Sequence, residues 1–106
     1  MADSIIPQEL KALLESDKKP SLFDVRRKGD FDAAPKKITY AVWLDPEKAD
    51  EWSHDIPQDR PVVVYCAKGG SVSQSITERL QQSNLDVKFL QGGIKAWVDL
   101  GEPVED

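Results

Sequence analysis

Apolar positions fall along this chain in two alternating rhythms. From Ile5 to Ser16 they recur at Ile6, Leu10, Leu13 and Leu14, the stripe of a helix with Pro7 near its first turn. Asp17-Lys18-Lys19-Pro20 interrupts it, and Leu22-Phe23-Asp24-Val25 then predicts a short strand ending in the charged run Arg26-Arg27-Lys28-Gly29-Asp30. The stretch from Phe31 to Tyr40 has little periodicity. After the brief apolar run Ala41-Val42-Trp43-Leu44, Asp45-Pro46 predicts a helix start for residues 47–53. Val62-Val63-Val64-Tyr65 is the strongest strand signal, four consecutive β-formers of the kind found in a strand covered on both faces. Cys66 follows at once, then Ala67-Lys68-Gly69-Gly70-Ser71, then a helical pattern with Val72, Ile76 and Leu80 on one face. Val87 to Leu90 predicts another strand, Gly92-Gly93 a tight turn, and Ile94, Trp97 and Val98 a last short helix ending near Gly101. The acidic end, Glu102, Glu105 and Asp106, reads as a frayed tail. Strands alternating with helices, without internal repeats, predict an α/β chain with a parallel sheet and helices on its faces.

Composition narrows this picture. At 106 residues, 40% hydrophobic and 31% charged, the chain suits one domain over residues 1–106 with a packed core, and disorder is excluded as a general state. Lysine plus arginine number 14 against 19 for aspartate plus glutamate, so the formal charge of −5 lacks the basic footprint of a nucleic-acid binder. No apolar run approaches the roughly 20 residues that cross a bilayer. Met1-Ala2-Asp3-Ser4 lacks a secretory start, so no membrane and a cytoplasmic location are expected. One cysteine excludes an intrachain disulfide, and one cysteine with one histidine cannot build a Cys/His zinc site, so no metal and no cofactor are expected. The lone histidine, His54, lies in a polar stretch and reads as a surface residue rather than as a partner of the cysteine.

The lone thiol carries the candidate chemistry. Sites in parallel α/β sheets lie at the carboxyl ends of strands, and Cys66 sits at that end of the most buried-looking one. Glycines at 69 and 70 allow the amides of Ala67, Lys68, Gly69, Gly70, Ser71 and Val72 to curl around the sulfur, and such a ring favours an anion. The N-terminus of the following helix and the charge of Lys68 act in the same sense. A thiolate stabilised this way loses nucleophilicity with a Brønsted slope of about 0.4–0.5, so activation alone gains little. The donors make more sense as a cradle for a sulfur anion that persists after the first chemical step. A phosphatase loop would need arginine where Val72 stands. A dithiol site would need cysteine where Gly69 stands.

Three motifs occur in a telling order: Asp24-Val25-Arg26, Cys66-Ala67-Lys68-Gly69-Gly70-Ser71 after a buried strand, and Gly92-Gly93-Ile94-Lys95-Ala96-Trp97. With these motifs the chain resembles a single-domain rhodanese, a sulfurtransferase. The resemblance implies a rhodanese-like α/β fold, a five-stranded, mostly parallel β-sheet flanked by α-helices on both faces, with strands at Ile5-Ile6, Leu22-Val25, Ala41-Trp43, Val62-Tyr65 and Val87-Leu90. It implies that Cys66 takes sulfane sulfur from thiosulfate or a similar small donor as a persulfide and passes it to cyanide, a thiol or a protein acceptor. It further implies that the Ser71 hydroxyl bonds the cysteine sulfur and that Lys68, the one cation of the loop, helps hold an anionic donor. Asp24 and Arg26 are supporting candidates, either as an ion pair or as part of the site. A non-catalytic binding module and a thiol-based redox sensor are the alternatives. One departure stands out: where the family carries Gly-His-Ile after an acidic-aromatic pair, Asp30-Phe31 is followed here by Asp32-Ala33-Ala34-Pro35, leaving open how this loop is fastened.

Overall fold

The structure is a computed structural model that describes residues 3–17 and 19–105. Met1, Ala2, Lys18 and Asp106 lie outside the described residues, and with them parts of the start, the first interruption and the acidic tail considered above. Along the chain run β1 (Ser4–Ile5), α1 (Pro7–Glu15), β2 (Ser21–Asp24), α2 (Lys28–Ala33), β3 (Lys37–Ile38), β4 (Val42–Trp43), α3 (Ala49–Trp52), β5 (Val62–Tyr65), α4 (Ser71–Gln81), β6 (Val87–Leu90), α5 (Gly93–Asp99) and β7 (Val104–Glu105).

Five strands form one sheet in the order β1-β6-β5-β2-β4, and every pairing in it is parallel. The pleat of β5 explains its apolar run, because successive side chains serve opposite faces. Val63 and Tyr65 join Leu10 of α1 and Trp97 of α5 on one side. Val62 and Val64 join Ala49 of α3 with Ile76 and Leu80 of α4 on the other. All four β5 residues are buried, and each large side chain removed from water contributes about 1.5–3 kcal/mol. Helices therefore cover both faces, as the strand-helix alternation predicts.

Several local expectations need correction. Phe31 belongs to α2, a helix of six residues that the apolar pattern does not reveal because none of its residues is buried. The helix expected over 47–53 is split into a 3₁₀ turn at Pro46–Lys48, α3, and a second 3₁₀ turn at Ser53–Asp55. Ile6 is 39% exposed, and Pro7 takes its place inside. The acidic end is tied down: Val104 and Glu105 pair antiparallel with Ile38 and Lys37, Glu102 meets Lys11 at 3.3 Å, and Trp97 Nε1 donates to Pro103 O at 2.9 Å. Among the described residues no helix is long and apolar enough to cross a membrane.

The chain leaves β5 toward β6 on one side and leaves β2 toward β4 on the other, so the switch point of the sheet falls between these two strands. A crevice outside their carboxyl ends is where such sheets bind ligands. Asp24 and Tyr65 are register partners, and Val25 N donates to Tyr65 O at 2.8 Å, so Arg26 and Cys66 leave the sheet side by side.

Candidate active site

Cys66 opens the turn between β5 and α4. The residue is only 6% exposed, yet it borders an open pocket of about 230 Å³ shared with Ala67, Lys68, Gly70, Ser71 and Val72. The backbone of this turn is sorted by polarity. Most of its carbonyls are engaged: Cys66 O accepts from Ile94 N at 3.0 Å, Ala67 O from Lys95 N at 3.1 Å, and Gly70 O from Gln74 N at 3.3 Å. Gly69 O accepts from the Gln74 side chain at 3.1 Å. None of the amides from Ala67 to Ser73 donates to another described residue. A row of free N–H groups continuing into the first turn of a helix is an arrangement for negative charge.

Two glycines make the geometry possible. Gly69 has φ +72°, and a Cβ there would come within 2.7 Å of Gly92 N. Gly93 has φ +61°, and a Cβ there would lie 2.3 Å from Cys66 O. The Gly92-Gly93 turn is therefore the surface on which the cysteine turn rests, which is how the first amides of α5 reach its carbonyls. Gly70, at φ −84°, occupies backbone space open to other residues.

The hydroxyl that meets the sulfur is that of Ser73, not of Ser71. Ser71 is exposed at the start of α4, whereas Ser73, two residues on, is fully buried and accepts from Cys66 Sγ at 3.2 Å. Ser73 Oγ in turn donates to Gly70 O at 3.3 Å, and its carbonyl accepts from Thr77 Oγ1 at 2.7 Å. A serine hydroxyl that accepts from a thiol can rotate to donate to a thiolate. Pattern reading passes over Ser73 because it counts apolar letters; its spacing from Ile76, Thr77 and Leu80, all buried, is the signal that places it on the inner face.

Asp24 and Arg26 form an internal ion pair, with Arg26 Nη2 2.6 Å from Asp24 Oδ2 and Nε within 3.0 Å of both carboxylate oxygens. The guanidinium also donates to Ala34 O at 2.8 Å and Lys36 O at 3.0 Å, and it sits 5.3 Å from the centre of the Phe31 ring. Phe31 stacks on Trp43 at 5.0 Å, and Trp43 Nε1 donates to Arg26 O at 2.9 Å. These contacts fasten the loop that lacks Gly-His. Arg26 still borders the cysteine pocket, together with Arg27 and Asp30. Lys68 is thus not the only cation there: Arg27, exposed at the end of the neighbouring strand, is a second that sequence order alone does not bring to the thiol. His54 lies exposed in the Ser53–Asp55 turn and is not among the residues bordering the pocket.

Behind the thiol, the Tyr65 hydroxyl accepts from Ile38 N at 3.1 Å. Burial, reinforced by the Asp24 carboxylate, pushes this phenol well above its ordinary value and keeps it neutral.

Comparisons with known proteins find matches over nearly the whole chain. The family model described as "Rhodanese-like domain" matches residues 6–100. The chain is 30% identical over 106 residues to a protein named "Sulfurtransferase" from Allochromatium vinosum, covering 98% of this chain and 95% of that one. It is also 30% identical over 100 residues to "Probable adenylyltransferase/sulfurtransferase MoeZ" of Mycobacterium tuberculosis, and there it spans 94% of its own length but 26% of the relative's. Among solved structures, a "Rhodanese-like Domain Protein" from Staphylococcus aureus superposes with a TM-score of 0.80 at 25% identity, covering 98% of this chain and 99% of that one.

Proposed function

The chain belongs to the rhodanese-like domain family, and on that premise we propose that it is a sulfurtransferase that stores sulfane sulfur on Cys66. The observation that carries this reading is the row of amides from Ala67 to Val72 without a partner among the described residues, in the turn that borders the pocket at Cys66. The Cys66 thiolate attacks the outer sulfur of thiosulfate or a similar donor, an S–S bond forms, and the old S–S bond breaks with its electron pair leaving on sulfite. One negative charge remains on the new persulfide, where the free amides and the helix terminus stabilise it. Lys68 and Arg27 flank the approach and favour an anionic donor. The Ser73 hydroxyl, turned from Gly70 O toward the sulfur, supports the thiolate before attack and again after discharge. A thiol or cyanide then takes the outer sulfur and returns the electron pair to Cys66.

The test is an intact mass after incubation with thiosulfate and removal of the excess. A gain of one sulfur atom in the wild type and none in Cys66→Ser is expected. The same gain in both proteins, or in neither, defeats the proposal.

A further inference from the structure

The pocket at Cys66 is the middle of a longer trough. On one side it opens into a groove of about 620 Å³ between the end of α2 and α5, sharing Arg26, Asp30, Ala67 and Lys68 with it. On the other side it continues into a shallower space of about 360 Å³, sharing Arg27, Ser71 and Val72. The larger groove combines apolar surface from Ala33, Ala34, Ile94 and half-exposed Val98 with the exposed lysines Lys36, Lys68 and Lys95. Among the described residues, no side-chain ion pair engages Lys36 or Lys68, and Lys95 shares its charge with Asp99 at 2.9 Å on the surface.

Charge distinguishes this face from the rest of the molecule. The trough is bordered by Arg26, Arg27, Lys36, Lys68 and Lys95 against Asp30, Glu47 and Asp99; with Asp24, which neutralises Arg26, five positive groups stand against four, or +1. The whole chain carries −5. An acidic surface with a locally basic, partly apolar trough steers a negatively charged partner to that trough.

Dimensions separate the two substrates of a sulfur transfer. A small dianionic donor needs only the pocket at the thiol, and nothing in its chemistry uses the apolar stretch from Ala33 to Val98. A small thiol carries its sulfur at one end and would need one arm of the trough. Both arms are used only by a ligand that passes across Cys66 with its sulfur in the middle.

We propose that the trough docks the sulfur acceptor and that this acceptor is a polypeptide segment in extended conformation, carrying a cysteine flanked on both sides by acidic residues. The inference rests on the sulfurtransferase reading above and names the acceptor class of the same site. The acceptor thiolate attacks the outer sulfur of the Cys66 persulfide; a new S–S bond forms on the acceptor, and the electron pair of the broken bond returns to Cys66 Sγ. No external oxidant or reductant enters. Lys36, Lys68 and Lys95 meet carboxylates on one side of the acceptor cysteine, and Arg27 meets them on the other.

The experiment is single-turnover discharge of the full chain, loaded with thiosulfate and checked by intact mass. Four thiols are compared: a cysteine peptide flanked by Asp and Glu, the same peptide with Asn and Gln, mercaptosuccinate and 2-mercaptoethanol. Each rate is normalised to that thiol's rate toward a small disulfide in free solution, which removes differences in intrinsic reactivity. At low salt the acidic peptide is expected to outpace its neutral counterpart by about fivefold. That advantage should vanish at high salt and in Lys36→Ala/Lys95→Ala, while discharge by 2-mercaptoethanol keeps its rate in the variant. Equal normalised rates for the two peptides overturn the inference. A gain for mercaptosuccinate as large as that for the acidic peptide assigns the groove to small anions and overturns it as well. If no persulfide forms at all, the sulfurtransferase reading fails and this inference falls with it; if persulfide forms but discharges to all four thiols alike, only this inference falls.

Discussion

Two turns leave neighbouring strands at the same end of the sheet, and they spend their hydrogen-bonding groups in opposite ways. After β2, the guanidinium of Arg26 is engaged by Asp24, Ala34 O and Lys36 O, so its donors are spent inside the fold even though the residue borders the pocket. After β5, the carbonyls of Cys66, Ala67, Gly69 and Gly70 are committed to α4 and α5, while the amides from Ala67 to Val72 have no partner among the described residues. The contrast teaches that position at the carboxyl end of a central strand does not by itself make a site. What makes one is donor capacity that folding leaves unused, held in a turn anchored through its carbonyls at Cys66, Ala67, Gly69 and Gly70.

Substitutions can break this comparison, beginning with the largest effect. Asp24→Ala leaves the guanidinium buried without its counter-charge, which should cost about 3–5 kcal/mol of stability. Urea denaturation should register that loss while the folded fraction still acquires sulfur; loss of sulfur uptake with an unchanged urea midpoint would place Asp24 in the chemistry instead. Gly93→Ala attacks the other turn through its support, since it combines a left-handed backbone with a methyl pressed onto Cys66 O. A cost of about 2–4 kcal/mol is expected, and here uptake per folded molecule should fall too. Normal uptake in this variant would show that the carbonyl anchors are not needed to hold the amides.

Ser73→Ala should move the chemistry more than the fold. Loss of a hydrogen bond to a charged sulfur is worth about 1.5 kcal/mol, so kcat/KM for uptake is expected to drop by roughly tenfold. A shift in Tm without a change in kcat/KM would reduce Ser73 to a packing role. The smallest effect belongs to Tyr65, on the anchoring side. The unfolded phenol releases its proton near its ordinary value of 10.0, while the folded one holds its proton to higher pH. Stability therefore falls as pH rises above that value, with a slope of at most about 1.4 kcal/mol per pH unit from this group. Tyr65→Phe should flatten the decline in alkaline denaturation curves; an unchanged slope would mean that other groups carry it.

Much of this was legible in the residues, and the exceptions have physical causes. The Val62 to Tyr65 run, the glycines beside Cys66 and the position of the thiol are local signals, and each marks its element in the structure. Helix α2 escaped because it has no fully buried residue and a single large apolar one, Phe31, so hydrophobic periodicity has no trace of it. The tail escaped because β7 is held by pairing with β3 and by Trp97 reaching Pro103 O, contacts between segments far apart in sequence. At the site, Arg27 stands next to Arg26 in sequence but comes to border the thiol's pocket only through the adjacency of β2 and β5. Ser73 was obscured differently: a polar residue on the inner face of a helix looks like an interruption until its partner is seen to be a sulfur.

The carbonyls of Cys66 and Ala67, gripped by the first amides of α5, have one more consequence. Peptide planes pinned at their oxygen ends cannot rock, so the N–H dipoles keep one heading whether or not an anion is present. The electrostatic work of orienting them is completed when the chain folds, and no solvent-like rearrangement is required at the moment sulfur changes hands.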